Sequence, residues 1–118
     1  MRLINLTKHP VNIVMDDGSV ITIPQANNGN VVRIAHKQIL MAEYDGVPVL
    51  QTTYYDADSN LPVPKPDTVY IVSSIVAMSN PYRHDLVSPN THPDSIVRDR
   101  RTKSIIGVRS LQSFWRGD

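Results

Sequence analysis

The sequence predicts a single α+β domain, rich in strands, with several β-hairpins and one short helix. Three observations indicate this class. Apolar runs rich in Val, Ile, Thr and Tyr flank Asp-Gly pairs, which favour tight turns. One apolar run is followed by a short helical segment and then by a second apolar run. The chain has 118 residues, of which 41% are hydrophobic and 19% charged, as is typical of one globular domain.

The first half of the chain carries the signals of successive hairpins. Asp17-Gly18 lies between two β-rich runs, and Asp45-Gly46 repeats this arrangement. Glycine adopts the positive φ that such turns need, and Asp tolerates it. A further turn is predicted at residues 27–29, where the sequence is Asn-Asn-Gly. We therefore predict an N-terminal hairpin layer over about residues 1–55.

Residues 56–66, with the sequence DADSNLPVPKP, are predicted to form a surface connection. Prolines at alternate positions favour an extended chain that lacks N–H donors. The acidic start resembles a calcium loop only superficially. An EF-hand loop has Gly at its sixth position and Glu at its twelfth, where this chain has Leu61 and Asp67. The sequence therefore predicts no metal site in this segment.

A strand–helix–strand unit is predicted to follow the connection. The run 69–72 has the composition of a strand that is buried on both faces. Ser73 or Ser74 is a suitable N-cap for a helix over about residues 74–80. A second strand is predicted at residues 85–87. The intervening segment has about the minimum length of a parallel crossover, roughly 10–12 residues, so we expect the two strands to run parallel.

The region 67–118 is predicted to end in a basic hairpin that turns at Arg100–Lys103. Gly107 lies inside the second strand of this hairpin. Glycine within a strand often marks a bulge or a close approach of another backbone. We expect the adjacent aromatic residues Phe114 and Trp115 to dock the end of the chain on the core.

Charge is distributed unevenly along the chain. Residues 1–80 contain five Lys or Arg and seven Asp or Glu, a net charge of −2, whereas residues 81–118 contain seven and four, a net charge of +3. A basic region favours anionic partners. Dedicated nucleic-acid binders are usually far more basic, and aromatic residues do not alternate with the basic ones here, so we do not expect a nucleic-acid partner.

Polar residues are expected to meet at the end of the predicted crossover. Parallel strands end at the same edge of a sheet, and ligands of open α/β sheets bind at that edge. Helix amides and arginine side chains attract phosphate or carboxylate groups. The predicted ligand-binding residues are Ser73, Ser74, Ser88, Asn90, Arg98 and Arg109. The alternative is structural: the serines cap the helix, Asn90 forms a turn and the arginines are solvated.

We assign no catalytic residue and no cofactor from the sequence. The first functional hypothesis is a binding protein for an anionic ligand or partner, such as a nucleotide or an acidic protein surface. The second is a small hydrolase or transferase acting on nucleotides, with His84 or His92 as acid–base. The third is a structural or interaction protein that forms a homo-oligomer through sheet edges or through the Phe114–Trp115 tail.

The sequence also predicts the compartment. The chain has no cysteine, which is typical of proteins in a reducing environment. The N-terminus has no apolar core of a signal peptide, and no apolar segment approaches the about 20 residues of a membrane span. We therefore expect a cytoplasmic protein without membrane contact.

Several blocks of the sequence resemble a group of small, mostly uncharacterised proteins encoded by bacteriophages and some bacteria. The blocks are INLTKHPVNI, ITIP, LPVPKPDTVYIVSSIVA, RHDLVSPN, IVRD and IIGVRSL. They cover most of the chain in the order in which the family has them. The resemblance implies an accessory protein of a phage or prophage, active in the host cytoplasm and directed at a host factor, with countering a host defence as an expected role. It assigns no role to any residue.

Overall fold

The computed structural model describes residues 1–26, 35–55 and 61–117. Within these ranges it confirms the predicted strand-rich α+β class with one short helix. The elements are β1 (Arg2–Asn5), β2 (Val11–Val14), β3 (Val20–Ile23), β4 (Ala35–Tyr44), β5 (Val47–Tyr55), β6 (Thr68–Ile71), α1 (Ser74–Ser79), β7 (Leu86–Pro89), β8 (Ile96–Arg98), β9 (Ile105–Val108) and β10 (Leu111–Gln112). The predicted turn at 27–29 and the DADSN segment lie outside the described residues.

The first sheet contains the predicted crossover. Its strand order is β1-β6-β7-β10, with β1, β6 and β7 parallel to one another and β10 antiparallel to β7. Tyr70 lies opposite Ile4 on one side and Leu86 on the other. The helix α1 connects β6 to β7, and the Ser73 hydroxyl accepts a hydrogen bond from the Val76 amide at 3.3 Å. The predicted parallel crossover and its N-cap are thereby confirmed.

The second sheet has the strand order β3-β2-β9-β8 and contains two of the predicted hairpins. The β2–β3 hairpin turns at Asp17-Gly18, where Gly18 has a φ of 86°. The β8–β9 hairpin is held by Asp99, whose carboxylate accepts the amides of Arg101 and Thr102. Strands β2 and β9 are parallel neighbours. Both sheets therefore combine strands from distant parts of the sequence.

Gly107 is the point of closest approach between β2 and β9. A Cβ atom at this position would lie 2.5 Å from the backbone oxygen of Asn12. The register of β8 against β9 also shifts here, because Val97 pairs with Gly107 whereas Arg98 pairs with Ile105. The close approach and the bulge that the sequence predicted occur together.

The hydrophobic core lies between the first sheet and α1. Its buried members are Leu6, Tyr70, Val72, Val76, Ala77 and Leu86. Phe114 packs against this cluster, and the Arg116 amide donates to the Pro81 carbonyl at 3.0 Å. Phe114 therefore docks the tail of the chain on the core as predicted, whereas Trp115 does not pack on the core and is 49% exposed.

Asn5 joins the two sheets. Its side-chain nitrogen donates to the carbonyl oxygens of His9 at 2.8 Å and Ile23 at 3.1 Å, and its side-chain oxygen accepts the amide and the hydroxyl of Thr7. Its own carbonyl accepts the Ala26 amide at 2.9 Å. Asn5 is almost fully buried, and this set of hydrogen bonds satisfies its polar atoms away from water.

Strands β4 and β5 form a long hairpin, residues 35–55, which we call the arm. It turns at Asp45-Gly46, whose φ values of 53° and 79° are those of the predicted tight turn. Among the described elements, the two strands contact each other extensively and make at most isolated contacts elsewhere. The radius of gyration is 16.9 Å, compared with about 13.5 Å for a compact chain of this length.

Candidate functional site

The crossover brings part of the predicted ligand site together in one groove. The groove has a volume of about 310 Å³, at the lower end of the range of about 300–1,000 Å³ for ligand pockets. It is lined by Ser74, Met78, Thr91, His92, Pro93, Gln112 and Phe114. Ser74 thus faces the loop after β7, as the parallel direction of the strands requires. Ser73 precedes Ser74 in the chain but does not line the groove, and its hydroxyl caps the helix.

Ser88 and Asn90 lie near the end of β7. The side chain of Ser88 points into the interior, and that of Asn90 forms hydrogen bonds within a turn. Ser88 is fully buried, and no described protein group forms a hydrogen bond with its hydroxyl. The Asn90 side chain donates to the Ser110 hydroxyl at 3.1 Å and accepts the His92 amide at 3.2 Å. Ser88 offers no accessible atom to a ligand, and Asn90 shapes the loop that carries His92.

Arg98 lies in β8, Arg109 directly follows β9, and neither lines the crossover groove. The guanidinium of Arg98 donates to the Lys103 carbonyl at 3.0 Å, within its own hairpin. Arg109 lines a different groove together with Val14, Met15, Asp16 and Asp17. The six predicted ligand-binding residues are therefore distributed over separate places, and the arginines do not converge on Ser74. The sequence predicted that β6 and β7 run parallel, but it did not predict that β8 and β9 belong to another sheet.

Arg83 forms an ion pair with Asp85. Its Nε and Nη2 atoms donate to the two carboxylate oxygens of Asp85, each at 2.7 Å, and Nη2 also donates to the Pro62 carbonyl at 2.9 Å. The hydrogen bonds from Arg83 lower the pKa of Asp85 below its usual value. Asp85 precedes β7, so this pair lies at the end of the strand opposite to Ser88 and Asn90.

The two histidines of the predicted crossover region have different surroundings. The ring of His84 meets Trp115 edge to face, with centroids 5.8 Å apart. His92 lies in the groove that contains Ser74. Within residues 1–26, 35–55 and 61–117, no group of three or more His, Asp or Glu side chains is arranged to hold a metal ion.

The arm carries an exposed apolar surface that sequence analysis did not single out. Tyr44 is 61% exposed and Val47 59% exposed. These two residues form a registered pair next to the turn, and Ala42 with Val49 forms another on the same face, since alternate residues of a strand share a face. Ile39 continues this face, whereas Leu40 and Leu50 form an exposed apolar pair on the opposite face, and Met41 lies at the register shift between Leu40 and Ala42.

The signal for this surface was present in the sequence as the run Ile39-Leu40-Met41. Such a run is equally typical of a core strand and of a strand that is buried only against a partner. Only the placement of the arm outside the core distinguishes the two cases. The sequence therefore predicted the hairpin of the arm but not the exposure of its apolar side chains.

No family model, curated protein or solved structure matches this chain. Of the helices in the described part of the chain, none has the length and apolar character required to cross a membrane.

Proposed function

We propose that the protein is a non-enzymatic interaction protein, of the accessory kind implied by the resemblance to phage and prophage proteins, and that it acts through the arm. The supporting observation is the exposure of apolar side chains along β4 and β5. A lone two-stranded hairpin is at best marginally stable in water. Apolar strands without cover are an aggregation hazard that natural proteins usually avoid. A protein partner on the arm removes both difficulties.

The distribution of charge supports the same proposal. Arg83 and Arg98 form local hydrogen bonds and Arg109 lines another groove, so these three arginines do not line the crossover groove. Contact through apolar side chains needs no such convergence, because it depends on the area removed from water. The arm offers more exposed apolar side chains than the crossover groove, in which Met78 is the one exposed large apolar residue.

A photo-crosslinking amino acid at position 44 tests this function in cells that produce the full chain. Tyr82 is the matched control, because it is also a surface tyrosine, 85% exposed, but lies outside the arm. We expect covalent protein adducts from position 44 and few from position 82. Equal yields at the two positions, or none at position 44, would contradict the proposal.

A second candidate function is binding of a small anionic ligand in the crossover groove. It is favoured by the meeting of Ser74, Thr91, His92 and Gln112 in that groove. Calorimetric titration with nucleotides tests it, using the wild type, Ser74→Ala and Arg109→Ala. Binding that is lost in Ser74→Ala but kept in Arg109→Ala supports this groove as the site. The absence of heat with every nucleotide would rule out the nucleotide version.

A further inference from the structure

We propose that a second cavity, at the edge of the first sheet where β6 and β7 begin, binds a zwitterionic amino acid with an aromatic side chain. None of the residues that line this cavity belongs to the arm, so the site goes beyond the function proposed above. The cavity wall carries a half-exposed tryptophan and two charges of opposite sign that have no partner among the described residues.

The cavity lies at the sheet edge opposite to the crossover groove. Its volume is about 410 Å³, within the range of about 300–1,000 Å³ for ligand pockets. Residues 65–69 line it from the start of β6, and His84 and Asp85, which directly precede β7, line it from the neighbouring strand. Because β6 and β7 are parallel, both strands begin at this edge. Trp115 adds a wall from the tail of the chain.

Trp115 offers an aromatic surface to the cavity. It is the single tryptophan of the chain, is 49% exposed and does not belong to the hydrophobic core. Its ring meets that of His84 at 79°, and such an edge-to-face contact covers at most one face of the indole. Both neighbours hold the tail, since Phe114 packs on the core and the Arg116 amide donates to the Pro81 carbonyl. The indole is therefore held at the cavity wall, where it can contact a second aromatic ring.

Lys65 and Asp67 place two opposite charges on the same cavity wall. Neither side chain forms a hydrogen bond or an ion pair with another described residue. The backbone of Asp67 is held in place, because its carbonyl accepts the Arg2 amide at 2.8 Å. A carboxylate of a ligand can therefore pair with Lys65, and an ammonium group with Asp67, without displacing an existing contact.

The balance of these charges selects a zwitterion. Asp85 also lines the cavity, but the Arg83 guanidinium compensates its carboxylate. A ligand with a single negative charge would be attracted by Lys65 and repelled by Asp67, and a single positive charge would meet the reverse. A molecule that carries both charges satisfies both residues. A free amino acid has this pair of charges, and an aromatic side chain adds the ring that contacts Trp115.

Fluorescence of Trp115 measures binding directly, because the chain contains no other tryptophan. The probe is L-phenylalanine, which does not absorb at the red edge of the indole band. We expect a saturable change within the solubility of this amino acid. L-Alanine lacks the ring, phenethylamine lacks the carboxylate and 3-phenylpropionate lacks the ammonium group, so each should bind about tenfold more weakly or worse. No saturable change with L-phenylalanine, or equal binding of all four compounds, would overturn the proposal.

Charge-removing variants test which residue meets which end of the ligand. Lys65→Met should bind L-phenylalanine no better than phenethylamine, and Asp67→Asn should bind it no better than 3-phenylpropionate. Both residues are exposed and form no side-chain hydrogen bond, so we expect both variants to fold. Lys8→Met is the matched control, since Lys8 is exposed outside the cavity and its loss should leave binding unchanged. Equal effects of Lys65→Met and Lys8→Met would refute the assignment.

Calorimetry with L-phenylalanine locates the site without relying on fluorescence. Trp115→Ala should weaken binding about tenfold or more, whereas Trp115→Phe, which keeps a ring, should retain most of it. Ser74→Ala alters the crossover groove and should have no effect. Binding that is lost in Ser74→Ala but kept in Trp115→Ala would place the ligand in that groove and refute this cavity. Crosslinking from position 44 reports on the arm alone, so its failure would leave the amino-acid site standing.

Discussion

The guanidinium group of Arg83 donates two hydrogen bonds of 2.7 Å to the carboxylate of Asp85. Asp85 is 3% exposed, so its charge has little access to water. The same guanidinium also holds the Pro62 carbonyl at 2.9 Å. A single side chain therefore links the first proline of the proline-rich connection to the residue that precedes β7.

Arg83→Met should destabilise the protein, because it leaves a buried carboxylate and a carbonyl without their donor. We expect the free energy of unfolding to fall by about 1–3 kcal/mol. Arg100→Met, in the exposed turn of the basic hairpin, should change it by no more than about 0.5 kcal/mol. Urea unfolding monitored by circular dichroism measures both. Equal stabilities of the two variants would show that the pair contributes nothing.

The contribution of this pair should also depend on pH. Hydrogen bonds from Arg83 lower the pKa of Asp85 in the folded protein. Stability from the pair is then fully present above the ordinary aspartate pKa of about 3.9 and is lost as the pH falls through the folded-state pKa. Asp17 and Asp99 have lowered pKa values as well, from hydrogen bonds in their own turns.

Comparing wild type with Arg83→Met isolates the pH effect, because Asp17 and Asp99 are common to both. In Arg83→Met the burial of Asp85 raises its pKa without the opposing hydrogen bonds, so the difference in the free energies of unfolding should be largest near neutral pH and should begin to shrink above the ordinary aspartate pKa of about 3.9 as the pH falls. Urea titrations at several pH values measure it. A difference that does not change with pH would show that protonation of Asp85 is unrelated to this pair.

Gly107→Ala should be strongly destabilising. The new Cβ atom would lie 2.5 Å from the Asn12 carbonyl oxygen, and this oxygen belongs to the backbone of β2, so it cannot rotate away. Overpacking of this kind costs about 1–3 kcal/mol. The control is Gly18→Asn, at an open position with a φ of 86°, where Asn is tolerated and the expected cost is below about 1 kcal/mol. Thermal unfolding ranks the two; a milder effect at Gly107 would contradict the close approach.

Ser88→Ala should stabilise the protein, which is unusual for a buried position. The Ser88 hydroxyl is buried without a described protein partner, and its removal abolishes a desolvation cost of about 1 kcal/mol. Ser95 is the comparison: it is also buried, but its hydroxyl accepts the Arg109 amide at 3.2 Å. This amide also donates to the Ser95 carbonyl at 2.9 Å, a bond that alanine keeps, so Ser95→Ala should lower stability by about 0.5 kcal/mol. Effects of the same sign would contradict this assignment.

The sequence predicted those features that depend on local chemistry. The Asp-Gly pairs at positions 17 and 45 identified two hairpins, since few residues other than Gly and Asp adopt the dihedral angles of such turns. The length of the segment between β6 and β7 identified a parallel crossover. Gly107 indicated that another backbone segment approaches this strand closely, because glycine leaves free the space that a Cβ atom would fill.

The sequence did not predict which distant strands pair. Strand β1 lies beside β6, and β2 lies beside β9, although nothing in the composition of Arg2–Asn5 or Val11–Val14 specifies these neighbours. The ligand-site prediction placed Arg98 and Arg109 near Ser74 because it lacked this pairing. The exposure of Ile39 and Tyr44 was equally hidden, since a core strand and an interface strand have the same composition.

The buried side chain of Asn5 limits where this protein can be produced. Asn5-Leu6-Thr7 is an acceptor triplet for N-linked glycosylation, and the nitrogen that would carry the sugar is the atom that donates to His9 and Ile23. A glycan added during passage through the endoplasmic reticulum would remove the bond to one strand and hold the two sheets apart. Secretion from a eukaryotic host should therefore yield misfolded chain, and Thr7→Ala would prevent the modification at the expense of the two hydrogen bonds that the Thr7 hydroxyl donates, to the Asn5 side-chain oxygen and to the His9 carbonyl.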